Sequence, residues 1–408
     1  MLKFIKKIYL LFLFLTLIST AALAQGYEWI QFRGPERLGQ SPEKLQIDNW
    51  EEVNLESNWL VDVGSGFSEV LVKGDKLYTM ISDTIDSITG SEYLVSYQAA
   101  DGKELWRVKI DSLYFDPDGW GNGTRATPYL DGDKIYCFSG FGKLSAHQLN
   151  DGRILWQKDF AALYKSTEPR WGFASSPLVV GDLLIMEAGG TEGKAFIALN
   201  KENGEIVWNY GKGNASFNSP VLANINGQDQ ILFANGYTLY SFKPDGDTLW
   251  TFKMPFGGII TVPLLVEDNR IFLSGIRNPG FVIVEVSDNQ PKELIRGNSM
   301  KTDFNTSVYH DGYIYGFHVA ALRCISAETG EVKWTKRGYG KGSLILVDGH
   351  LFVLSDKGKL AVVEATPDTF TEKANIQAME GKSWTAPGFS NRKIYLRNLS
   401  QMTCIEIR

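Results

Sequence analysis

The chain has 408 residues, with 41 Lys and Arg against 47 Asp and Glu, and 12% aromatic residues including 11 Trp. A net charge of −6 without basic runs excludes an electrostatic reader of nucleic acid or of anionic membrane surfaces. The length exceeds that of one small domain, so the chain holds either two domains or one large repetitive one.

In chain order, the first element is a targeting signal. Lys3, Lys6 and Lys7 form a positive start, residues 8–18 are a short apolar stretch, and Ala22 and Ala24 supply the small residues that precede cleavage. The apolar stretch is too short to cross a bilayer comfortably, and no other segment approaches that length. Cleavage is expected after Ala24, giving an exported protein, periplasmic or secreted, without a transmembrane segment. No Cys follows the cleavage site, so a lipid anchor is not expected. The proposed layout is a signal peptide at 1–24, an N-terminal extension at 25–53 and one repetitive domain at 54–408.

The repeat shows first as a motif. "ADGKELW" ends at Trp106, "NDGRILW" at Trp156, "KENGEIVW" at Trp208, "PDGDTLW" at Trp250 and "ETGEVKW" at Trp334. A second register runs beside it. Short Ser/Thr-Pro-like steps open apolar runs at Ser68-Glu69, Thr127-Pro128, Ser176-Pro177, Ser219-Pro220, Val262-Pro263, Ser307-Val308, Ser343-Leu344 and Ala386-Pro387. The second residues of these eight steps lie 36 to 59 apart, mostly 43 to 49, a period that fits the blades of a β-propeller, at roughly 40–50 residues each. One unit resolves into four strands: a short run to Leu130, KIYCFSG, KLSAHQL and RILWQKD, separated by Asp-Gly and Gly turns that favour tight hairpins.

The pattern predicts an all-β, eight-bladed β-propeller of four-stranded antiparallel blades. The last unit holds three strands, and the orphan strand around Trp59 ("NLESNWLVDV") completes it and closes the ring. The structural repeat Trp are Trp59, Trp106, Trp156, Trp208, Trp250 and Trp334. Ile295 takes the Trp position in "KELIRG", and "DTFTEKANI" has no equivalent. Cys137, Cys324 and Cys404 sit inside apolar runs and read as buried thiols.

The turn-Gly-x-x-Trp repeat resembles the tryptophan-docking repeat of the pyrroloquinoline-quinone (PQQ)-like propellers. That superfamily includes quinoprotein alcohol dehydrogenases and the outer-membrane assembly factor BamB. "WIQFRGPERLGQSPE" (residues 29–43), "RWGFASSP" and "NASFNSP" are similar to bacterial PQQ-like repeat proteins without an assigned activity. The resemblance implies a fold covering nearly all of the chain after its leader, and carries less about function, because one fold hosts many sites.

Chemistry in a propeller gathers in the loops that lead into the innermost strands. Those loops hold Trp120, Arg125, Arg170, Trp171, Phe217, Asp303, Asn305, Lys341 and Trp384. Arg125, Arg170, Trp171, Phe217, Asp303, Asn305 and Trp384 form the expected ligand-binding set, suited to a planar or polar ligand. Asp116, Asp118 and Asn122 put three oxygen side chains in one short loop, as Ca²⁺ loops do, although the same residues also make an ordinary turn. His147, His310, His318 and His350 are scattered over different blades and form no metal pattern.

Three functions are expected from these observations. The first is a non-catalytic binding or scaffold propeller, whose partner is a protein or a glycan and which needs no cofactor. The second is a quinoprotein-type oxidoreductase using PQQ and calcium. For it, the resemblance implies a Trp floor, an Arg, an Asn and an Asp base, types that Trp171, Arg125 or Arg170, Asn305 and Asp303 supply. The paired cysteines and haem motif of many such enzymes are missing. The third is a glycan-binding or polysaccharide-lyase propeller, whose lyase form needs a His or Tyr base beside an Arg.

Overall fold

The computed structural model describes residues 27–408 apart from 87, 88 and 259. The expected leader lies outside the described residues. Among the described residues eight sheets surround one axis, each built on four antiparallel strands from the axis outward, in chain order in all but blade 8. They span residues 71–112, 129–159, 178–210, 221–253, 264–297, 308–336 and 343–377 for blades 1 to 7. Blade 8 takes three strands from residues 388–407, and Leu55–Asp62 adds the fourth by pairing antiparallel with Gln401–Ile407, Trp59 opposite Cys404. The expected four strands of blade 2 fall at Tyr129–Asp131, Lys134–Phe138, Lys143–Gln148 and Ile154–Asp159. Cys137, Cys324 and Cys404 are buried free thiols.

The recurring Gly and Trp turn out to serve adjacent blades. Four outer-strand Trp lean on the Gly turn of the blade that follows them. Trp59 meets Gly102, Trp106 meets Gly152, Trp156 meets Gly204 and Trp208 meets Gly246. In three of them the indole N–H then donates into that turn: Trp59 to Ala99 O at 3.0 Å, Trp156 to Lys201 O at 3.1 Å and Trp208 to Pro244 O at 2.9 Å. Gly152 sits at φ +73°, and a Cβ there would lie 2.6 Å from the Trp106 ring, so both the conformation and the space call for Gly. Trp59 therefore closes the ring twice, as a strand in blade 8 and as a dock onto blade 1.

The exceptions follow from the same contact. Blade 5 turns through Asp288 and Asn289, both at positive φ, with no Gly to receive an indole. Trp250 instead donates to Gln230 within its own blade at 2.9 Å. Blade 5 carries Ile295 on its outer strand, and Phe281 reaches the Gly330 turn in place of an indole. Blade 7 has no turn to dock on, because the equivalent hairpin of blade 8 is where the chain's two ends meet. The short 3-10 helix Trp50–Glu52 packs against its outer strand Glu372–Gln377, with Trp50 against His350 at 4.6 Å.

The second register links blades near the axis. The step hydroxyl of one blade accepts a backbone N–H of the blade before it: Thr127 from Glu69 at 3.0 Å, Ser176 from Thr127 at 2.9 Å, Ser219 from Ser176 at 2.9 Å. Buried N–H groups need such partners, which is why these three steps begin with Ser or Thr; the Val262 N–H finds Thr306 Oγ1 instead, at 3.1 Å.

Residues 29–43 fill the axis. Trp29 is fully buried and exchanges backbone hydrogen bonds with Val72 in blade 1, and Ile30 accepts from Leu130 in blade 2. The Arg37 guanidinium donates to the carbonyls of Ser176 at 3.2 Å and Pro220 at 2.8 Å, and to that of Pro177. Arg33 reaches Ser307 O at 3.1 Å. Gln40–Ser41 pairs parallel with blade 7, and the Glu43 carboxylate accepts the backbone N–H groups of Asn391 and Arg392 in blade 8. Burial lowers both arginines to about 10, so they stay charged at neutral pH.

Two outcomes follow from this packing. Trp156→Ala is expected to lower the unfolding free energy by about 3–5 kcal/mol through lost burial and a cavity. A urea titration showing a loss under about 1 kcal/mol would sink the docking account. Arg37→Met leaves buried carbonyls without donors, at a cost of about 3–5 kcal/mol. It should also expose residues 29–43 to limited proteolysis under conditions that leave the parent protein intact.

Candidate functional site

The axial plug leaves one end of the channel open as a cavity of about 280 Å³. Its wall is built from the loops that precede the innermost strands, and its floor from the plug residues Phe32 and Arg33 with Glu69. Of the residues expected from sequence, Arg125, Trp171, Phe217, Asp303, Asn305 and Trp384 all line it, as do Trp120 and Lys341. These residues come from six different blade junctions, brought together by the ring.

Arg170 is not among the lining residues. It points outward and grips Asp118 through two hydrogen bonds of 2.8 and 2.6 Å. Asp118 also accepts the Trp171 indole N–H at 2.7 Å, so this pair holds Trp171 in the wall from behind. The Arg170 hydrogen bonds pull the Asp118 carboxyl down to about 2.

The three-oxygen loop is likewise spent on the protein itself. The Asp116 carboxylate accepts the Asp118 backbone N–H at 2.7 Å and pairs with Arg125 at 2.6 Å. Asn122 Oδ1 accepts the Asp116 N–H at 3.0 Å. Among the described residues, no group of three or more His, Cys, Asp or Glu is placed to hold a metal ion.

Aromatic rings dominate the wall. Trp384 stands beside Phe304 at 4.8 Å, Trp120 at 5.7 Å and Phe67 at 6.2 Å between ring centres. Trp171 and Phe217 form a second pair at 4.9 Å. Lys382 lies over the Trp384 ring at 4.6 Å and donates to Trp120 O at 2.7 Å, fixing the outer edge of the first cluster. Arg125 lies over Phe67 at 5.2 Å. Lys341 pairs with Asp303 at 2.6 Å, and Asn305 donates to Gly342 O at 2.6 Å.

Phe32, Arg33, Phe67, Glu69 and Phe304 were not in the sequence-derived set. One signal for Glu69 was visible: where most of the steps carry Pro, the first carries a carboxylate. Glu69 is 2% exposed; its Oε2 accepts from Arg33 N at 2.8 Å and Trp29 Nε1 at 3.4 Å. Its Oε1 and the Arg33 Nε are buried without a hydrogen-bond partner. Burial pushes the Glu69 carboxyl up to about 7, against the pull of Arg33.

The family model for the outer membrane protein assembly factor BamB matches residues 90–316. The chain belongs to this family of PQQ-like propellers. A BamB of Shewanella oneidensis is 24% identical over 339 residues, 77% of this chain and 78% of its own. Among solved structures, BamB from Moraxella catarrhalis superposes with a TM-score of 0.62 at 12% identity, covering 86% of this chain and 98% of its own. The quinohemoprotein alcohol dehydrogenase ADHIIG from Pseudomonas putida HK5 superposes at 0.64, also 12% identical, over 93% of this chain and 80% of its own. Likeness at such identities establishes the propeller and leaves the BamB-like chain's activity to its own cavity.

A pH dependence follows from the buried acids. Glu69, Glu92 and Glu187 are each raised from 4.5 to about 7, chiefly by burial. Between those values the folded chain keeps protons that the unfolded chain has released, so stability falls as pH rises through that window. Thermal midpoints measured across it should decline toward neutrality, and Glu69→Gln should flatten the decline.

Proposed function

We propose that this protein is an exported, non-catalytic binding propeller that holds a ligand or partner in its axial cavity. The observation that carries the reading is the state of the cavity's ionisable groups. Arg125 is matched with Asp116 and Lys341 with Asp303, and the remaining lining carboxylate, Glu69, is buried at the floor with one oxygen held by Arg33 N and Trp29 Nε1. None of the four His lines the cavity. The export rests on the leader read from sequence. A relative named as an assembly factor fits a protein that works by holding something rather than transforming it.

The quinoprotein reading asks for oxygen ligands free to bind calcium beside the quinone. Here Asp303 is engaged by Lys341 and Asp116 by Arg125, and among the described residues no three His, Cys, Asp or Glu gather to hold an ion. These residues do not fit the ion, so no redox step is drawn through them. The lyase reading asks for a base beside an Arg. Tyr114 does lie under Arg125, at 5.3 Å, but it is buried and its hydroxyl is given to Arg170 O at 2.7 Å.

Titration of the purified protein with PQQ and Ca²⁺, followed by calorimetry and dye reduction with alcohols or sugars, is expected to give neither saturable binding nor turnover. Stoichiometric binding with dye reduction would overturn the non-catalytic reading.

A further inference from the structure

We infer that the axial cavity takes a neutral sugar ring, a single hexopyranose or the end of a neutral oligosaccharide, stacked on Trp384 and hydrogen-bonded at the floor by Glu69 and Arg33. The inference rests on the binding function proposed above and assigns its ligand class.

Three independent features converge. The first is the wall. Trp384 is flanked by Phe304, Trp120 and Phe67, and Trp171 with Phe217 adds a second aromatic pair. The π-face of an aromatic ring is electron-rich, so it attracts the weakly positive C–H face of a pyranose as well as excluding water from it. Trp120 is 46% exposed at the mouth, placed to meet a second residue of a chain that extends outward.

The second feature is charge. The wall cations Arg125 and Lys341 each meet a carboxylate at 2.6 Å. A phosphate, carboxylate or ammonium drawn to the wall would have to break one of those pairs, which is costly, while Lys382 is engaged by the Trp120 carbonyl and the two indole rings and Arg33 is buried against Glu69. A neutral ligand avoids that cost.

The third feature is the floor. Glu69 Oε1 and Arg33 Nε are buried polar atoms without a partner, in two residues that line the cavity. Buried polar groups are ordinarily satisfied, so this acceptor and this donor call for a ligand edge that both gives and receives. Adjacent hydroxyls on a sugar do so, and they lie beside an apolar face of the same ring. A purely apolar ligand lacks the edge. The cavity of about 280 Å³ sits at the small end of ligand pockets, sized for one ring rather than an extended chain.

The test uses the full chain without its leader. Methyl glucoside, methyl mannoside, methyl galactoside and N-acetylglucosamine, with their disaccharides, are titrated by calorimetry and intrinsic Trp fluorescence. Glucuronate, glucosamine and adenosine are run beside them. Saturable binding of at least one neutral sugar is expected, at least tenfold tighter than its charged counterpart. Trp384→Ala should weaken it about tenfold or more. Glu69→Gln should weaken it too, without abolishing the Trp fluorescence response. Trp120→Ala, at an exposed position, serves if Trp384→Ala does not fold, and should chiefly weaken the disaccharide.

Trp384-dependent binding of glucuronate, glucosamine or adenosine in preference to every neutral sugar would overturn the saccharide class while leaving the binding function intact. So would failure of all the sugars when a protein partner is recovered by the parent chain and lost by the variant. If no probe binds and no partner depends on Trp384 or Trp120, both the ligand class and the binding function fall.

Discussion

Eight inner strands facing one axis leave backbone carbonyls at the centre of the molecule, away from water, and the guanidinium of Arg37 supplies them with donors. It bonds carbonyls of the steps before blades 3 and 4, while Arg33 does the same before blade 6. A buried cation is tolerated there because several carbonyl dipoles surround it. The strand of chain that brings these arginines to the axis also seals it. What would be a tunnel becomes a cup, and the cup's floor is made of the plug. The closure and the candidate site thus share one cause.

Between blades, stability is distributed over repeated contacts of one kind. An indole rests on a neighbour's Gly turn and donates into it, and near the axis a hydroxyl receives a neighbour's N–H. Each contact links only adjacent blades, so the ring resembles a chain of nearest-neighbour couplings joined end to end. Where a blade lacks its Gly turn, the donor is redirected to Gln230; where it lacks its Trp, Phe281 fills the space. The irregular blades are therefore explained by what their neighbours present, and not by weakness in themselves.

The charged residues at the mouth divide into two groups by what they touch. Arg125 and Lys341 form the wall, with their charges cancelled in place. Arg170 and Asp118 stand outside it and hold Trp171 by its indole nitrogen. Residue type alone did not separate these roles: Arg125 and Arg170 both sit in loops before an inner strand. Their difference arises from direction, since Arg125 folds inward over Phe67 and Arg170 turns to solvent.

From the sequence alone, the eight units, their four strands, the closing strand at Trp59 and most of the cavity wall were legible. Those features depend on local periodicity and on turns whose Gly, Asn and Asp requirements are written in the residues themselves. The steps also marked which loops face the axis, and so where Trp171, Phe217 and Trp384 would meet. The tertiary structure alone decided the rest. Residues 29–43 carry no strand periodicity, and their place at the axis follows from hydrogen bonds to blades far away in sequence. The partner of each repeat Trp lies one blade on, a contact between units that no pattern within a unit expresses. Glu69 became a floor residue only once the plug had covered it, because burial and an unpartnered oxygen are properties of the assembled ring.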